Sequence, residues 1–304
     1  MVTEATMTIF HAQNLSQQFS RSLFHLRLDE LQLDPGSITG VVGENGNGKT
    51  TLLNIVAGET KADGIYKYFG NAIHKNSDWG ELKNHIGFIP QRISRWHGTM
   101  EQNLYLKAAL EGIGLGDIDK RLDELLDFLD LQNFRKLKWT EISTGYRLRF
   151  ELARVLLGSP KLLVLDEPLA NLDINTQQKF LSDLKSLLNK RDEPLAIILS
   201  SQQLHEIESV ATQMLFLKQG EVIYSGDLAS IAHTGTQRIY ELQLDKVEGL
   251  PEGFINEGEE LSSNGPYILI QTSDSAASLL SRVLKAEYDV KYFRDLTTST
   301  KRFF

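Results

Sequence analysis

The stretch VVGENGNGKTTLL, residues 41–53, constrains the fold more than any other part of this sequence. The apolar run Ile38 to Val42 predicts a buried strand, and the apolar residues at helical spacing after the loop predict a helix that ends near Gly58. The glycine-rich loop between them fits G-x-x-x-x-G-K-[ST], a pattern that binds phosphate when it links a strand to a helix. The fixed positions are Gly43, Gly48, Lys49 and Thr50. An accidental match in an ordinary strand-to-helix turn is the alternative interpretation.

The residue types of this loop suit phosphate oxygens. Its glycines let backbone N–H groups turn inward, and the following helix adds the partial positive charge of its N-terminus. We expect Lys49 to bind the β and γ phosphates of a nucleotide and the Thr50 hydroxyl to bind Mg²⁺. The predicted phosphate-binding residues are Asn45, Gly46, Asn47, Gly48, Lys49, Thr50 and Thr51.

A second apolar run, Leu162 to Leu165, ends in two carboxylates. Asp166 follows a buried strand directly, where α/β sheets bind ligands, so it is the predicted Mg²⁺ ligand. Glu167 lies one residue further along the same edge and is the candidate general base for an attacking water. An ordinary polar loop after a strand is the alternative, and the glycine-rich loop in the same chain argues against it.

A second site for binding an anion, called an anion seat, is predicted in EISTGYRLRF. Ser143 is the candidate N-cap of a helix with one apolar stripe. Ser143, Thr144 and Gly145 at the start of that helix offer hydroxyl and backbone donors to an anion. The glycine-rich loop is already one anion seat. A second anion seat in the same chain therefore indicates that the protein works together with a second copy of itself.

These stretches together resemble the ATP-binding cassette (ABC) ATPases over about residues 8–230. The stretch Ile142 to Tyr146 is similar to the family signature LSGGQ, and the basic pattern after it is retained at Arg147, Arg149, Ala153 and Arg154. The resemblance implies that Phe19 stacks on adenine, although an isolated aromatic at such a position is more often a core or edge residue. It also implies that Gln91 binds the metal and senses the water. The D-loop is matched by Ala170, Asn171, Leu172 and Asp173, of which Asp173 couples the two sites across a dimer.

Two positions depart from the family pattern. Thr144 replaces the first glycine of the signature, a form similar to that of ABC-2 type exporters. Gln202 stands where the family usually has a histidine, and glutamine donates an amide hydrogen bond but carries no proton. We expect Gln202 to sense the γ-phosphate while turnover is slow. We interpret His205, one helical turn further on, as a surface residue rather than a substitute.

The predicted fold is α/β, with a P-loop NTPase sheet core, a helical lobe and an N-terminal antiparallel β part. The nucleotide-binding domain is assigned to residues 1–232, with the lobe at about 91–145 and an almost wholly helical pattern from Gln91 to Glu141. Residues 233–304 form a small α+β unit with the order strand, strand, helix, strand, a candidate regulatory or dimer-stabilising appendage. Its predicted strands are RIYELQL, YILIQT and YDVKYF, and its closing DLTTSTKRFF is either packed or frayed.

The resemblance implies a head-to-tail dimer that holds ATP and Mg²⁺ between the glycine-rich loop of one chain and the signature of the other. It implies an ATP-hydrolysing transporter subunit, in the direction of export, that reaches the cytoplasmic face of a membrane only through a separately encoded permease. A homodimer is favoured over a heterodimer. RISRWHGTMEQNLYL is expected to form part of the groove that docks the permease, and Trp96 in it is either an exposed anchor or a core residue.

The net charge and the composition argue against several other classes of function. The net charge of −8 argues against a broad nucleic-acid surface, and the absence of cysteine excludes a thiolate metal site or disulfides. The start of the sequence lacks a signal-peptide pattern, and no apolar stretch reaches the length of a spanning helix. The seven histidines are scattered and predict no metal cluster. Two alternatives to a transporter subunit remain. One is a soluble ABC ATPase that acts on a macromolecular complex. The other is a regulatory switch that hydrolyses ATP poorly, and the presence of Glu167 argues against this second alternative.

Overall fold

The computed structural model describes residues 8–18, 24–73, 78–190, 193–227, 238–244, 259–264, 267–274, 276–285 and 290–295. The chain divides into two compact units, Met1–Ser225 and Gly226–Phe304. The first unit contains helices α1 Lys49–Val56, α2 Asp78–Lys83, α3 Met100–Leu110, α4 Leu115–Phe128, α5 Thr144–Leu156, α6 Ile174–Lys190 and α7 Leu204–Ile207. Its strands are β1 Phe10–Gln18, β2 His25–Leu33, β3 Ile38–Val42, β4 Asp63–Tyr68, β5 Asn71–Ala72, β6 Ile86–Ile89, β7 Leu162–Leu165, β8 Ala196–Ser201, β9 Gln213–Lys218 and β10 Glu221–Asp227, which continues into the second unit.

The strands form one ten-stranded sheet in the order β5-β4-β1-β2-β10-β9-β3-β8-β7-β6. Strand β3 pairs in parallel with β8 and β9, and β7 pairs in parallel with β6 and β8. Strand β1 pairs antiparallel with β2 and β4. The mixed sheet, with its parallel core and antiparallel N-terminal part, confirms the predicted fold class.

The parallel strands β3, β7 and β8 are buried along their whole length, because helices cover them. Helix α1 contacts β7 and β8, and α5 contacts β6. Parallel strands end at a common edge, so the glycine-rich loop after β3, the carboxylates after β7 and the turn after β8 meet there.

The helical lobe consists of α3, α4 and two short 3₁₀ turns, Gln132–Phe134 and Trp139–Glu141, followed by α5. The prediction of helix from Gln91 onward was wrong, because the chain stays irregular until Met100. Thr99 starts α3 with a capping box in which Thr99 and Gln102 exchange side-chain-to-backbone hydrogen bonds. The local cap therefore decides where the helix begins, although the apolar pattern extends further back.

The second unit has a four-stranded antiparallel sheet in the order β12-β13-β11-β14. Its elements are β11 Arg238–Leu244, β12 Glu260–Asn264, β13 Tyr267–Thr272, α8 Ala276–Lys285 and β14 Val290–Asp295. Strand β12 was missed by the sequence analysis, since ELSSN lacks apolar alternation and pairs with β13 as an edge strand. Most of the closing tail lies outside the described residues.

Among the described helices, none combines the length and the apolar character that crossing a lipid bilayer requires.

Candidate functional site

The glycine-rich loop wraps around the ammonium group of Lys49. Lys49 Nζ donates to the carbonyl oxygens of Gly43 at 2.7 Å and Glu44 at 3.2 Å. Helix α1 starts after Gly48, whose φ of 103° favours glycine, and a Cβ there would lie 2.6 Å from the Phe24 ring. No described side chain caps α1, so its first N–H groups remain available to phosphate oxygens.

Three of the predicted catalytic residues, Lys49, Gln91 and Gln202, converge on the carboxylate of Glu167. Its Oε1 lies 3.0 Å from Lys49 Nζ, with both side chains almost fully buried. Its Oε2 accepts hydrogen bonds from Gln91 Nε2 at 2.9 Å and from Gln202 Nε2 at 2.8 Å. The segments after β3, β6 and β8 therefore each bring one side chain to the carboxylate that follows β7. The ion pair and the two amide hydrogen bonds fix its orientation.

Asp166 and the backbone of Glu167 are held by Ser200 near the end of β8. The Ser200 hydroxyl donates to Asp166 Oδ1 at 2.8 Å and accepts from the Glu167 N–H at 2.8 Å. Glu167 has a φ of 45°, an unusual value for a residue with a side chain, and the Ser200 bond supports this conformation. Sequence reasoning missed Ser200, for which the available signal was a hydroxyl near the end of a buried strand.

The predicted metal ligands fit a nucleotide-bound Mg²⁺ rather than a metal held by protein alone. Asp166 supplies a buried carboxylate and Thr50 an exposed hydroxyl at the start of α1. Mg²⁺ usually takes one or two carboxylates together with substrate phosphates, which matches this donor set. In the described part of the chain, no group of three or more His, Asp or Glu side chains could hold a metal.

The predicted second anion seat begins helix α5. Ser143 is its N-cap and accepts from the Tyr146 N–H at 3.4 Å, while Ser143 and Thr144 are exposed. The helix is fixed to α6 by a buried ion pair in which Arg149 Nε lies 2.9 Å from Asp183 Oδ2. Burial raises the pKa of the Asp183 carboxyl, an effect that the nearby Arg149 charge opposes.

Asp173 lies away from the carboxylate of Glu167 and caps α6 instead. It accepts from the Thr176 N–H at 3.0 Å and from the Thr176 hydroxyl at 2.6 Å. These donors lower the pKa of Asp173 below the ordinary aspartate value. The side chain is exposed, so a partner can reach it.

A cleft of about 560 Å³ lies beside the glycine-rich loop, between Asn45–Asn47, the start of β2 and the turn that precedes β10. Phe24 lines it and was missed by the sequence analysis, whereas Phe19 lies outside the described residues. The carbonyl oxygen of the Asn47 side chain accepts from the Gln219 N–H at 2.9 Å, which ties the loop to that turn.

Trp96 is a core residue, which decides against the exposed-anchor alternative. It is 8% exposed, its indole Nε1 donates to Glu151 Oε2 at 3.1 Å, and its ring lies 5.7 Å from that of Trp139. Glu151 is also paired with Arg154, so the buried carboxylate is satisfied. His205 is exposed, as predicted.

A glycine-rich loop closed by Lys49, followed by a helix and faced by two carboxylates at a parallel-strand edge, defines a P-loop nucleotide-binding protein. Within that class, the chain belongs to the ABC transporter family, whose profile matches residues 26–170. The family is shown by the probable sulfate/thiosulfate import ATP-binding protein CysA of Chlorella vulgaris, 30% identical over 72% of this chain and 92% of that protein.

The chain is also similar to ATP-binding proteins with other names. The linearmycin resistance ATP-binding protein LnrL of Bacillus subtilis is 26% identical over 81% of this chain and 78% of its own. Human ATP-binding cassette sub-family A member 10 is 30% identical over 63% of this chain, which spans only 12% of that protein. The structure of cbiO1 from Clostridium perfringens, described as part of the ABC transporter complex cbiONQ, has a TM-score of 0.69 and 23% identity. It covers 75% of this chain and 91% of its own, and at that identity it supports the fold.

Proposed function

We propose that this chain binds ATP with Mg²⁺ and hydrolyses it as the nucleotide-binding subunit of a membrane transporter. The observation that carries the proposal is the convergence of Lys49, Gln91 and Gln202 on the carboxylate of Glu167. An almost fully buried carboxylate at a parallel-strand edge, beside a phosphate-binding loop, has the placement required of a general base.

The residues of the site have separate proposed roles in ATP hydrolysis. The loop Asn45 to Thr51 and Lys49 bind the phosphates, and Thr50, Gln91 and Asp166 hold Mg²⁺, which supplies charge neutralisation on the phosphate oxygens. Glu167 orients the attacking water and accepts its proton. Lys49 Nζ lies 3.0 Å from Glu167 Oε1, so the residue proposed to bind the phosphates is directly beside the proposed general base. Phe19 is proposed to stack on adenine.

We propose that two copies bind ATP head to tail, with each nucleotide between residues 43–51 of one copy and Ser143, Thr144 and Gly145 of the other. The support is that both segments lie at helix N-termini, and that Ser143 and Thr144 are exposed. A γ-phosphate bound by both seats holds the copies together, and its loss on hydrolysis lets them separate. Asp173, exposed at the start of α6, couples the two sites.

The transporter setting is proposed as export, with a separately encoded permease that brings this subunit to the cytoplasmic face of a membrane. Thr144 in the signature and the similarity to a linearmycin resistance protein support export, while another relative is named for import. Residues 1–232 are assigned to nucleotide binding and the C-terminal unit to regulation or dimer stabilisation.

The transporter proposal predicts a stable complex with a membrane protein. Co-expression with candidate permeases and co-purification in detergent is expected to recover this subunit with one of them, and ATP hydrolysis is expected to rise on association. The same purification from membranes without a permease serves as the control. A subunit that associates with no permease contradicts the transporter role but leaves the ATPase role intact.

Gln202 offers a separate test. Replacement by Ala removes the amide donor to Glu167, and we expect the ATP hydrolysis rate to fall about 10-fold, as for one charge-assisted hydrogen bond. Replacement by His restores a residue that exchanges protons, and we expect faster turnover than in the parent. His205→Ala is the matched control because His205 is exposed on α7. An unchanged rate in Gln202→Ala places Gln202 outside the reaction.

A further inference from the structure

Glu206 on the short helix α7 connects, through hydrogen bonds, the two loops that carry Glu167 and Gln202. This connection is called the brace. Its Oε1 accepts from Gln177 Nε2 of α6 at 3.3 Å, and the Ser201 hydroxyl contacts its Oε2. Gln177 Nε2 also donates to the Leu169 carbonyl at 3.2 Å, two residues beyond Glu167. The side chain of Glu206 therefore connects the loop after β7, through α6, to the turn after β8.

The turn that holds Gln202 is fixed from the same side. The Gln203 N–H donates to the Ser201 hydroxyl oxygen at 2.9 Å, and the Glu206 N–H donates to the Gln203 carbonyl at 3.3 Å. Ser201 is buried, whereas Gln202 between these anchors is exposed. An exposed glutamine has many rotamers, so a fixed backbone is what favours its contact with Glu167 Oε2 at 2.8 Å.

Glu206 also lines the same cleft as Glu167 and Gln202. This cleft has a volume of about 220 Å³ and includes Ala170 and Asn171 on its other wall. Glu206 is half-buried and bonded to Gln177 and Ser201, so it does not need to touch the nucleotide to affect the reaction.

We infer that Glu206 is a positioning residue for ATP hydrolysis, which acts by holding the Gln202 amide against the carboxylate of Glu167. The inference rests on the proposed ATPase function and deepens it. The Ser201 hydroxyl also lies 3.0 Å from the Gln203 carbonyl, a contact within the turn that remains without Glu206, whereas the connection of the turn to α6 is lost. Gln202 then samples other rotamers, and Glu167 loses a donor that fixes its orientation.

The test compares variants of the full-length chain under saturating Mg²⁺ and ATP. Glu206→Ala is expected to lower kcat about 10-fold while KM for ATP and the thermal unfolding midpoint stay close to those of the parent. In a Gln202→Ala background the same change is expected to have less than about a twofold effect, because the residue through which it acts is absent. Gln177→Ala, which removes one arm of the brace, is expected to lower kcat about threefold.

Two further variants separate positioning from general damage. Glu206→Gln retains one acceptor oxygen and is expected to recover most of the lost kcat. Glu208→Ala, an exposed acid at the end of the same helix, is expected to match the parent. The inference is overturned by an unchanged kcat in Glu206→Ala, by an equal loss in the Gln202→Ala background, or by an equal loss in Glu208→Ala. A parent protein with no Mg²⁺-dependent hydrolysis, alone or with its permease, overturns the proposed function as well.

Discussion

Replacing Glu167 by glutamine is expected to lower the rate of ATP hydrolysis by at least about 100-fold while ATP binding is retained. The amide has the size of the carboxylate but accepts no proton from water, and it no longer forms an ion pair with Lys49. Phosphate release measures the rate, and titration with a fluorescent ATP analogue measures binding. Glu208→Gln is the matched control because it makes the same chemical change at an exposed position.

The same Glu167→Gln variant tests the head-to-tail dimer. Because it binds ATP without cleaving it, the nucleotide remains between the two anion seats, and light scattering is expected to show a dimer with Mg²⁺ and ATP. The nucleotide-free variant is expected to be less associated. A variant that stays strictly monomeric with Mg²⁺ and ATP, alone and beside its permease, contradicts the shared-site arrangement.

Replacing Lys49 by methionine is the second change with a large expected effect. It keeps the length of the side chain but removes the ammonium group, so we expect ATP affinity to fall about 10- to 100-fold, as for a lost hydrogen bond to a charged group. Glu167 is then a buried carboxylate without its cation, and we expect the free energy of unfolding to fall by about 3 kcal/mol. Nucleotide titration and urea unfolding measure the two effects.

A double variant, Lys49→Met with Glu167→Gln, separates these two consequences. It is expected to regain most of the stability, since no charge is left unpaired, but not the ATP affinity. Lys120→Met on the exposed side of α4 is the control for removal of a lysine charge. Parent-like stability of the Lys49→Met single variant contradicts an ion pair that stabilises the nucleotide-free protein.

The residues of the site were largely predictable because their signals are local. A strand, a glycine-rich loop and a helix follow one another at Gly43 to Thr51, and Asp166 and Glu167 directly follow an apolar strand. Their convergence follows from a general property of parallel strands, whose carboxyl ends share one edge. The distance from Gln202 to Glu167 was not predictable, because these residues are far apart in the sequence and their contact depends on the turn that Ser201 and Glu206 hold.

Other features depended on tertiary packing that apolar periodicity does not encode. The helical pattern after Gln91 was overridden by the cap at Thr99, and strand β12 forms through backbone pairing with β13 rather than through an apolar face. Trp96 shows the same limit, since an aromatic among polar neighbours is equally consistent with a surface anchor. A buried acceptor on helix α5, Glu151, decides its position.

The hydrogen bond from Trp96 to Glu151 has a mechanical consequence. Trp96 lies on the segment that follows Gln91, and Glu151 lies on the helix that Ser143 begins. The indole also packs against Trp139, just before that helix, so a shift of the segment without the helix breaks the hydrogen bond to Glu151. A displacement of this segment is therefore expected to move α5, and with it the exposed Ser143 at its start.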